Sequence, residues 1–170
     1  MKIKIKYTNP NCKIENLKKG EWFDLKSDRT VTLSGPFANT LNNKREKRDV
    51  EFDSDIIYLG FVMQLPKEFE AHLVPRSSTY KNWGIIQSNH QGIIDSSYSG
   101  DNDIWGMPVI ALRDTTIEEG DRVCQFRIMP SQKASVWTKI KWLFTSKIEF
   151  EEVPYLENKD RGGFGSTGKN

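Results

Sequence analysis

The sequence has few of the residues that build metal centres and disulfide frameworks. Its 170 residues include only two cysteines and two histidines. Cys12 and Cys124 lie far apart and match no metal-binding spacing, and with only His72 and His90 available a multi-histidine metal site is excluded. We therefore expect two free thiols, which are typical of a reducing compartment such as the cytoplasm.

Strong net charge and long apolar runs are also missing. The 25 Lys and Arg residues stand against 23 Asp and Glu residues, so the net charge of +2 argues against a nucleic-acid partner. No stretch approaches the roughly 18 consecutive apolar residues that a membrane-spanning helix needs. The N-terminal MKIKIKYTNP lacks the apolar region of a signal peptide. We expect a cytoplasmic protein with no membrane partner.

Apolar residues recur with a period of two, which is the period of a β-strand. Gly, Pro, Asn and Asp fill the gaps between these runs, and 12 Gly and seven Pro are available for turns. The length is that of a single domain, and many short strands predict an all-β sandwich or barrel. The predicted strands are 2–7, 30–33, 55–65, 70–75, 105–112, 122–129 and 147–153, with one short helix around 77–83.

Two segments depart from the strand pattern. Residues 34–54 contain a run of charges from Lys44 to Asp49. We interpret them as a solvated hairpin tip or mobile loop, with a basic docking site as the alternative. Residues 133–146 concentrate apolar side chains and fit a strand pair, a short amphipathic helix that caps the core, or an exposed patch that binds a partner. The sequence does not decide among these.

The C-terminal residues 161–170, RGGFGSTGKN, combine glycines with hydroxyls and cations. The glycine spacing matches G-x-G-x-x-G. However, the dinucleotide motif and the P-loop both need a strand before the glycines and a helix after them, so we assign neither motif to this segment. Exposed backbone amides, two hydroxyls and two cations can still wrap a phosphate chain. Phe164 between glycines argues against a simple frayed terminus.

Residues 75–84, PRSSTYKNWG, end a strand and open a turn or short helix. The guanidinium of Arg76 can pair with a carboxylate or a phosphate, and the hydroxyls of Ser77 and Ser78 lie at a helix start that favours an anion. The same segment would also serve as an ordinary helix cap. Asp24 lies in an apolar strand and needs a partner, for which Arg76 is the natural candidate.

Residues 89–105 predict a hairpin. Gly92–Ile94 form the first strand, Asp95 begins the turn, and the return strand starts at Tyr98. Asp95 is either an Asx-turn former or a general base that points into a cleft, with the flat ring of Tyr98 across the turn.

Residues 118–130 predict a Gly-Asp turn followed by a strand. Gln125 and Arg127 share one face of this strand because they are two residues apart. Cys124 and Phe126 face the other way, into the core.

Taken in order, these segments resemble the five motifs of the trimeric, all-β dUTPases, and the phage and prophage type most closely. The resemblance implies a single distorted jelly-roll β-sandwich over residues 1–158, with elaborations at 34–54 and 133–146. It also implies a flexible C-terminal arm over 159–170 that closes over the active site. Motifs one to five resemble Gly20–Leu25, PRSSTYKNWG, GIIDSSYSG, GDRVCQFRI and RGGFGSTG.

The resemblance implies Mg²⁺-dependent hydrolysis of dUTP to dUMP and pyrophosphate, by a water that attacks the α-phosphorus. Asp95 would hold the deoxyribose 3′-hydroxyl and activate this water. Tyr98 would pack under the sugar and leave no room for a 2′-hydroxyl. Asn89 and the hairpin backbone from Gly92 through Ile94 to Tyr98 would read the uracil edge.

The other motifs would hold the triphosphate. Ser77, beside Ser78, would contact the phosphates near the scissile bond, with Arg76 and Gln125 in support. Asp24 would pair with Arg76 and order water around a Mg²⁺ ion that is held mainly by the phosphates. In the arm, Arg161, Ser166 and Thr167, next to Gly165, would close over the γ-phosphate while Phe164 stacks on the base.

The family also implies a homotrimer, in the host-cell cytoplasm if the chain is phage-encoded. Two positions differ from the family pattern: Trp22-Phe23 replace Ala-Gly before Asp24, and Ser99 replaces a basic residue. One alternative is dCTP deaminase, which shares the fold and an Arg-Ser-Ser segment but needs a further acid or base; no Glu stands near Asp95 in the chain. The other alternative is a phage regulatory protein that binds a partner protein through the two elongated segments.

Overall fold

The computed structural model describes residues 1–15, 21–39, 49–144 and 147–164. Within these ranges the chain forms fourteen β-strands, two α-helices and one 3-10 helix, which confirms the all-β prediction. The strands are β1 Lys2–Tyr7, β2 Phe23–Lys26, β3 Val31–Leu33, β4 Phe37–Asn39, β5 Asp49–Glu51, β6 Ser54–Tyr58, β7 Phe61–Gln64, β8 Phe69–Pro75, β9 Ile85–Gln87, β10 Gly92–Asp95, β11 Gly106–Ala111, β12 Thr115–Ile117, β13 Arg122–Pro130 and β14 Glu149–Glu152; the helices are α1 Thr79–Trp83, α2 Val136–Leu143 and the 3-10 helix Pro10–Cys12.

The described strands pair into five sheets, and the largest of them carries the candidate site. Its strand order is β10-β8-β13-β2, with every neighbouring pair antiparallel. A second sheet, β14-β1-β7, joins the two ends of the chain because β14 runs parallel to β1. The remaining sheets are β6-β11-β9, β12-β3 and β4-β5.

The core follows from the period-two pattern. In β1 the isoleucines at 3 and 5 are buried, while Lys2 and Lys4, which alternate with them, are exposed. Three large aromatic side chains meet at the centre: the Trp105 ring lies 5.1 Å from Phe61 and 5.3 Å from Phe126 between centroids. Such edge-on and tilted contacts are favourable arrangements for aromatic rings.

Both cysteines are free, as the sequence predicts, and both are buried. Burial raises the pKa of Cys12 to about 11 and also raises that of Cys124. A thiol with a raised pKa carries little thiolate at neutral pH, and the thiolate is the nucleophilic form. Neither cysteine is therefore suited to catalysis.

The prediction of one strand over residues 55–65 is wrong. The chain turns between β6 and β7, and these strands then join different sheets. Gly60 makes the turn with a φ of +71°, and a Cβ on it would lie 2.8 Å from Cβ of Cys12. Only glycine fits such a left-handed, crowded position, so the apolar run is divided there.

The two segments that the sequence left open now have an architecture. Within residues 34–54, β4 and β5 pair antiparallel, and residues 40–48, which include most of the charge run, lie outside the described residues. Within residues 133–146, α2 begins after Ser135, whose hydroxyl accepts a hydrogen bond from the Thr138 amide at 3.2 Å. The segment is thus a helix and not a strand pair.

Helix α2 presents its apolar side outward. Val136, Trp137 and Leu143 are exposed by 70%, 72% and 79%. On the inner side Trp142 packs on Phe69 at 5.5 Å between ring centroids. The helix therefore contacts the core through the Trp142 ring, and its other apolar side chains form an exposed surface. Among the described residues, neither helix is both long and apolar enough to cross a bilayer.

We predict that Phe61→Ala lowers the free energy of unfolding by about 3–5 kcal/mol, because it leaves a cavity in the aromatic centre of the core. Urea denaturation at one fixed protein concentration measures this loss. Phe52 is 45% exposed, so Phe52→Ala is the matched control and should change the value by about 0.5 kcal/mol or less. Equal losses in the two variants would contradict this assignment of the core.

Candidate functional site

The first cluster of polar side chains surrounds Asp24 on β2. One carboxylate oxygen accepts a hydrogen bond from Arg76 Nε at 2.9 Å, which confirms the predicted pair. The other oxygen accepts one from Arg122 Nη1 at 3.2 Å. Two guanidinium groups around one carboxylate leave a net positive charge, which suits a phosphate. Sequence reasoning did not single out Arg122, although it stands in the Gly-Asp-Arg turn of the fourth motif.

Helix α1 fixes the position of Arg76. The Thr79 hydroxyl accepts a hydrogen bond from the Arg76 amide at 3.0 Å and donates one to the Val123 carbonyl at 2.7 Å. This side chain is buried and ties the start of the helix to β13. The helix ends at Gly84, which has a left-handed φ of +64°. Ser77 is thereby left exposed, beside a half-buried Ser78.

Gln125 completes the first cluster. It lies directly opposite Asp24 in the register of β13 and β2. Its side-chain amide donates to the Pro75 carbonyl at 3.4 Å, one residue before Arg76. The predicted residues of motifs one, two and four therefore lie together in one chain.

The second cluster is centred on Asp95, at the end of β10. Oδ1 of Asp95 accepts hydrogen bonds from the amide and the hydroxyl of Ser97, at 2.8 and 2.5 Å. Its Oδ2 lies 3.3 Å from Arg161 Nη1. Asp95 thus forms the Asx turn and also faces a cation, so both sequence interpretations describe its geometry.

These contacts set the charge state of Asp95. Its partial burial on its own would raise the pKa, but the Ser97 hydrogen bonds and the positive charge of Arg161 lower it below the ordinary value. The carboxylate is therefore ionised at neutral pH, as a proton acceptor must be.

The predicted return strand at Tyr98 is absent. Instead, β10 pairs with β8, and the chain after Tyr98 runs through turns. The Tyr98 amide still donates to the Asp95 carbonyl at 3.1 Å, and its hydroxyl donates to the Ile104 carbonyl at 3.0 Å. Burial, followed by the nearby charge of Asp103, raises the pKa of Tyr98 to about 12, so the hydroxyl stays protonated. The ring is held in one orientation as a result.

A pocket of about 290 Å³ lies beside this hairpin. Most of its walls are apolar side chains and glycines, with one exposed amide side chain at the rim. The C-terminal segment closes one side, and a Cβ on Gly163 would lie 3.1 Å from the Tyr98 ring. The lining residues are Asn89, Gly92, Ile93, Ile94, Tyr98, Trp105, Gly106, Gly163 and Phe164.

The structure therefore brings the predicted residues of motif three together with part of motif five. Asn89, Gly92, Ile94, Tyr98 and Phe164 share the pocket, and Arg161 contacts Asp95 at its side. Gly165, Ser166 and Thr167 lie outside the described residues. Sequence reasoning missed Trp105 and Gly106, whose place in the pocket depends on the pairing of β11 with β6.

The two clusters do not meet within one chain. Asp24 shares a row of the sheet with Gln125 and Val74, whereas Asp95 lies opposite Glu70. Three strand spacings and four residues along β8 separate the two positions. At about 4.8 Å per strand and about 3.3 Å per residue, Asp24 and Asp95 are about 20 Å apart. One chain therefore holds the two clusters at well-separated positions of the same sheet.

Two further observations bear on the predicted chemistry. Glu70, opposite Asp95 on β8, has its Oε1 atom within hydrogen-bond distance of His72 Nε2, at 2.8 Å, so a glutamate does stand near Asp95 in space. Within the described ranges, no group of three or more His, Cys, Asp and Glu side chains could hold a metal ion.

Comparison with known proteins places this geometry in context. The dUTPase family model matches residues 47–168. A relative from Bacillus subtilis, an SPbeta prophage-derived deoxyuridine 5′-triphosphate nucleotidohydrolase, is 45% identical over 99% of both chains. The fold is similar to that of a Streptococcus mutans dUTPase, with a TM-score of 0.60, 18% identity and coverage of 76% of this chain and 93% of the other.

A mutant dUTPase from phage phi11 of S. aureus also has a similar fold. Its TM-score is 0.57 at 16% identity, and the match covers 79% of this chain and 94% of that one. The structure of that protein reveals how it coordinates a structural Mg(II) ion.

We predict that Ser97→Ala raises the pKa of Asp95, because the carboxylate loses the hydroxyl that stabilises its ionised form. Carboxyl-carbon NMR across an acid titration measures this change. A raised pKa means that Asp95 becomes protonated at a higher pH. For any activity that needs the ionised carboxylate, the decrease on the acid side of the pH profile should therefore shift to higher pH. Ser96→Ala is the control, because among the described residues Ser96 makes no hydrogen bond to Asp95. Identical Asp95 titrations in wild type and Ser97→Ala would contradict the assignment.

Proposed function

The chain belongs to the dUTPase family, and from this premise we propose that it hydrolyses dUTP to dUMP and pyrophosphate. The observation that carries the proposal is the largely apolar pocket beside an ionised carboxylate. Asp95 stands at the end of the strand that lines the pocket, with a guanidinium 3.3 Å away. A base and a cation beside an apolar, nucleobase-sized pocket are what attack on a nucleotide phosphate requires.

We propose that the pocket selects deoxyuridine. In the described chain β10 is the edge strand of its sheet, so one side of its backbone has amides and carbonyls without a strand partner. Such groups can pair with the edge of uracil, with Asn89 at the rim of the pocket. Tyr98, fixed through its hydroxyl, would pack against the deoxyribose and exclude a 2′-hydroxyl.

In the chemical step Asp95 would accept a proton from the attacking water. The water oxygen bonds to the α-phosphorus while the bond from this phosphorus to the bridging oxygen breaks, and pyrophosphate leaves. Arg161 lies close enough to Asp95 to approach the same triphosphate. The work of the chain is to position the water and stabilise charge, without a covalent intermediate.

The Asp24 cluster of one subunit would bind the phosphates of a nucleotide whose base lies in the pocket of a neighbouring subunit. Arg76 and Arg122 supply positive charge, and Ser77, Ser78 and Gln125 supply further polar groups nearby. Because Asp24 and Asp95 are about 20 Å apart in one chain, we propose a homotrimer with its sites at subunit boundaries. The free thiols are consistent with a cytoplasmic location.

We propose Mg²⁺ as the cofactor. The Asp24 carboxylate is already shared by Arg76 and Arg122, and no cluster of three ligands exists among the described residues. These residues fit an ion held mainly by the phosphates, with Asp24 contacting its water shell. When bound, Mg²⁺ neutralises the triphosphate and draws charge from the leaving group.

The outward face of α2 favours a second role as a protein-binding surface. Its exposed apolar side chains lie on the side of the helix that does not contact the core. Contiguous exposed apolar patches mark interaction sites in many proteins. We propose this helix, rather than the pocket, as the place where a regulatory protein would bind.

We predict that wild-type protein releases pyrophosphate from dUTP and not from dCTP, dTTP or UTP, and that removal of Mg²⁺ with EDTA stops the reaction. Asp95→Asn should keep its fold and nucleotide binding but lose about 10²- to 10⁴-fold in kcat, because the amide cannot accept the proton. A pyrophosphate assay with each nucleotide measures these rates. Ammonia release from dCTP would indicate the deaminase instead, and a wild-type kcat in Asp95→Asn would exclude this base.

We predict that Arg76→Ala and Asp95→Asn are each strongly impaired on their own and that mixing the two variants restores activity. In a mixed trimer, some boundaries combine an intact Asp24 cluster from one chain with an intact Asp95 hairpin from the next. Equal mixing of a threefold-symmetric protein yields such pairs at about a quarter of the sites. The measurement is dUTP turnover after the two chains are refolded together, with each chain refolded alone as the control.

Light scattering accompanies this experiment. The wild-type mass should be that of three chains, and Leu143→Ser should keep it if α2 is free for another protein. A monomer mass, or no recovered turnover in the mixture, would contradict the shared site.

A further inference from the structure

The loop Gly100–Asp103 contacts the C-terminal segment through all of its polar side chains, and we call it the clasp. Asp103 is only 1% exposed. Its carboxylate accepts hydrogen bonds from the Gly100 amide at 2.8 Å, the Arg161 amide at 2.9 Å and the Gly162 amide at 2.9 Å. A buried carboxylate is stable only with such donors, so the C-terminal segment completes the environment of Asp103.

The two neighbouring side chains extend the clasp. Asp101 accepts hydrogen bonds from the amides of Leu156 and Glu157 at 3.0 and 3.2 Å. Asp160 in turn accepts from the backbone amide and the side-chain amide of Asn102, at 3.0 and 2.7 Å. Each of the two segments therefore both donates hydrogen bonds to the other and accepts hydrogen bonds from it.

Gly100 allows this close approach. A Cβ at this position would lie 2.4 Å from Cα of Asp160 and 2.7 Å from its amide nitrogen. Backbone atoms cannot move aside as a flexible side chain can, so any other residue would push the C-terminal segment away.

The clasp sets the path of the residues beyond it. Its last contact is at Gly162, and the side chain of Arg161 reaches Asp95 at 3.3 Å. The next residue, Gly163, lies against the Tyr98 ring, and Phe164 lines the pocket. The segment is therefore held at the point from which it can reach both the carboxylate and the pocket.

We propose that the clasp anchors residues 156–162 and so positions Arg161 and Phe164 at the pocket before a nucleotide binds. Asp103 is a positioning residue in this arrangement, since it acts through the C-terminal segment. Residues 159–162 of the predicted flexible arm then belong to the anchored part of the chain. The kinetic consequence rests on the proposed hydrolysis of dUTP, whereas the anchoring itself does not.

Anchoring matters because a glycine-rich segment loses much backbone entropy when it is ordered. If residues 156–162 are already ordered in the free protein, substrate binding loses less backbone entropy. A segment released from the clasp would have to be ordered by the nucleotide, and Arg161 would be misplaced in most complexes. Misplacement of this kind costs ten- to about a hundredfold in rate.

The test begins with Asp103→Asn, which keeps the shape but turns one acceptor oxygen into a donor that faces backbone amides. We expect kcat/KM for dUTP to fall about ten- to a hundredfold, with KM raised. The same substitution in an Arg161→Ala/Phe164→Ala background should have little further effect, because Asp103 acts through these residues. An equal additional loss in that background would mean general damage to the fold and would overturn the proposal.

Hydrogen exchange without nucleotide tests the anchor directly. Amides of residues 156–164 should lose protection in Asp103→Asn while those of β1 and β13 keep it. Asn102→Ala, at an exposed position, should show a smaller loss in the same residues. Asp114→Asn is the control: Asp114 also accepts a backbone amide, from Gly35 at 2.7 Å, but has no contact with the C-terminal segment among the described residues.

The outcomes separate the two proposals. Wild-type protection and wild-type kinetics in Asp103→Asn would overturn the clasp even if the protein hydrolyses dUTP. Loss of protection in a protein that does not hydrolyse dUTP would support the clasp and contradict the proposed function.

Discussion

The pairing of β8 with its two neighbours is the constraint on which the site depends. β8 bonds to β10 on one side and to β13 on the other, in fixed antiparallel register. A slip of one residue would turn the buried side chains of Ala71 and Leu73 toward solvent, so the core holds the register. The same register sets Asp24 and Asp95 at opposite corners of the sheet. Burial of apolar groups thereby decides how far apart the two clusters lie within one chain.

The carboxylates around both clusters are matched by donors. Asp24 has two guanidinium partners, Asp95 has Ser97 and Arg161, and Asp103 has three backbone amides. Unpaired negative charges would repel a triphosphate and would be costly in a half-buried setting. Pairing makes acidic side chains compatible with an anionic ligand, and the same hydrogen bonds hold the neighbouring turns and strands in place.

Helix α2 shows how hydrogen bonds to one carboxylate can orient an amphipathic helix. The Ser135 amide and the hydroxyls of Ser135 and Thr138 donate to the carboxylate of Glu68, in the turn before β8. These bonds direct the capped end of the helix toward the sheet, and its apolar stripe consequently faces away. The sequence left a strand pair, a core-capping helix and an exposed patch open for this segment. The structure shows the helix, in which Trp142 packs on Phe69 while most other apolar side chains are exposed.

Several strands, a short helix and one ion pair can be predicted from residues that are close in the sequence. The period of two gave most strands, the residues after Arg76 gave a short helix, and an aspartate in an apolar strand predicted its arginine partner. Each of these follows from neighbours in the sequence, because alternation, capping and the cost of a lone charge act over a few residues.

The tertiary structure decided the rest. It divided the apolar run at Gly60 between two sheets, brought Arg122 to Asp24, and joined Asp103 to Arg161 across 58 positions of the chain. It also gave Tyr98 a loop where the sequence predicts a returning strand. Such outcomes depend on which strands pair and in what register. That choice is made by the shared burial of distant segments, which no local pattern encodes.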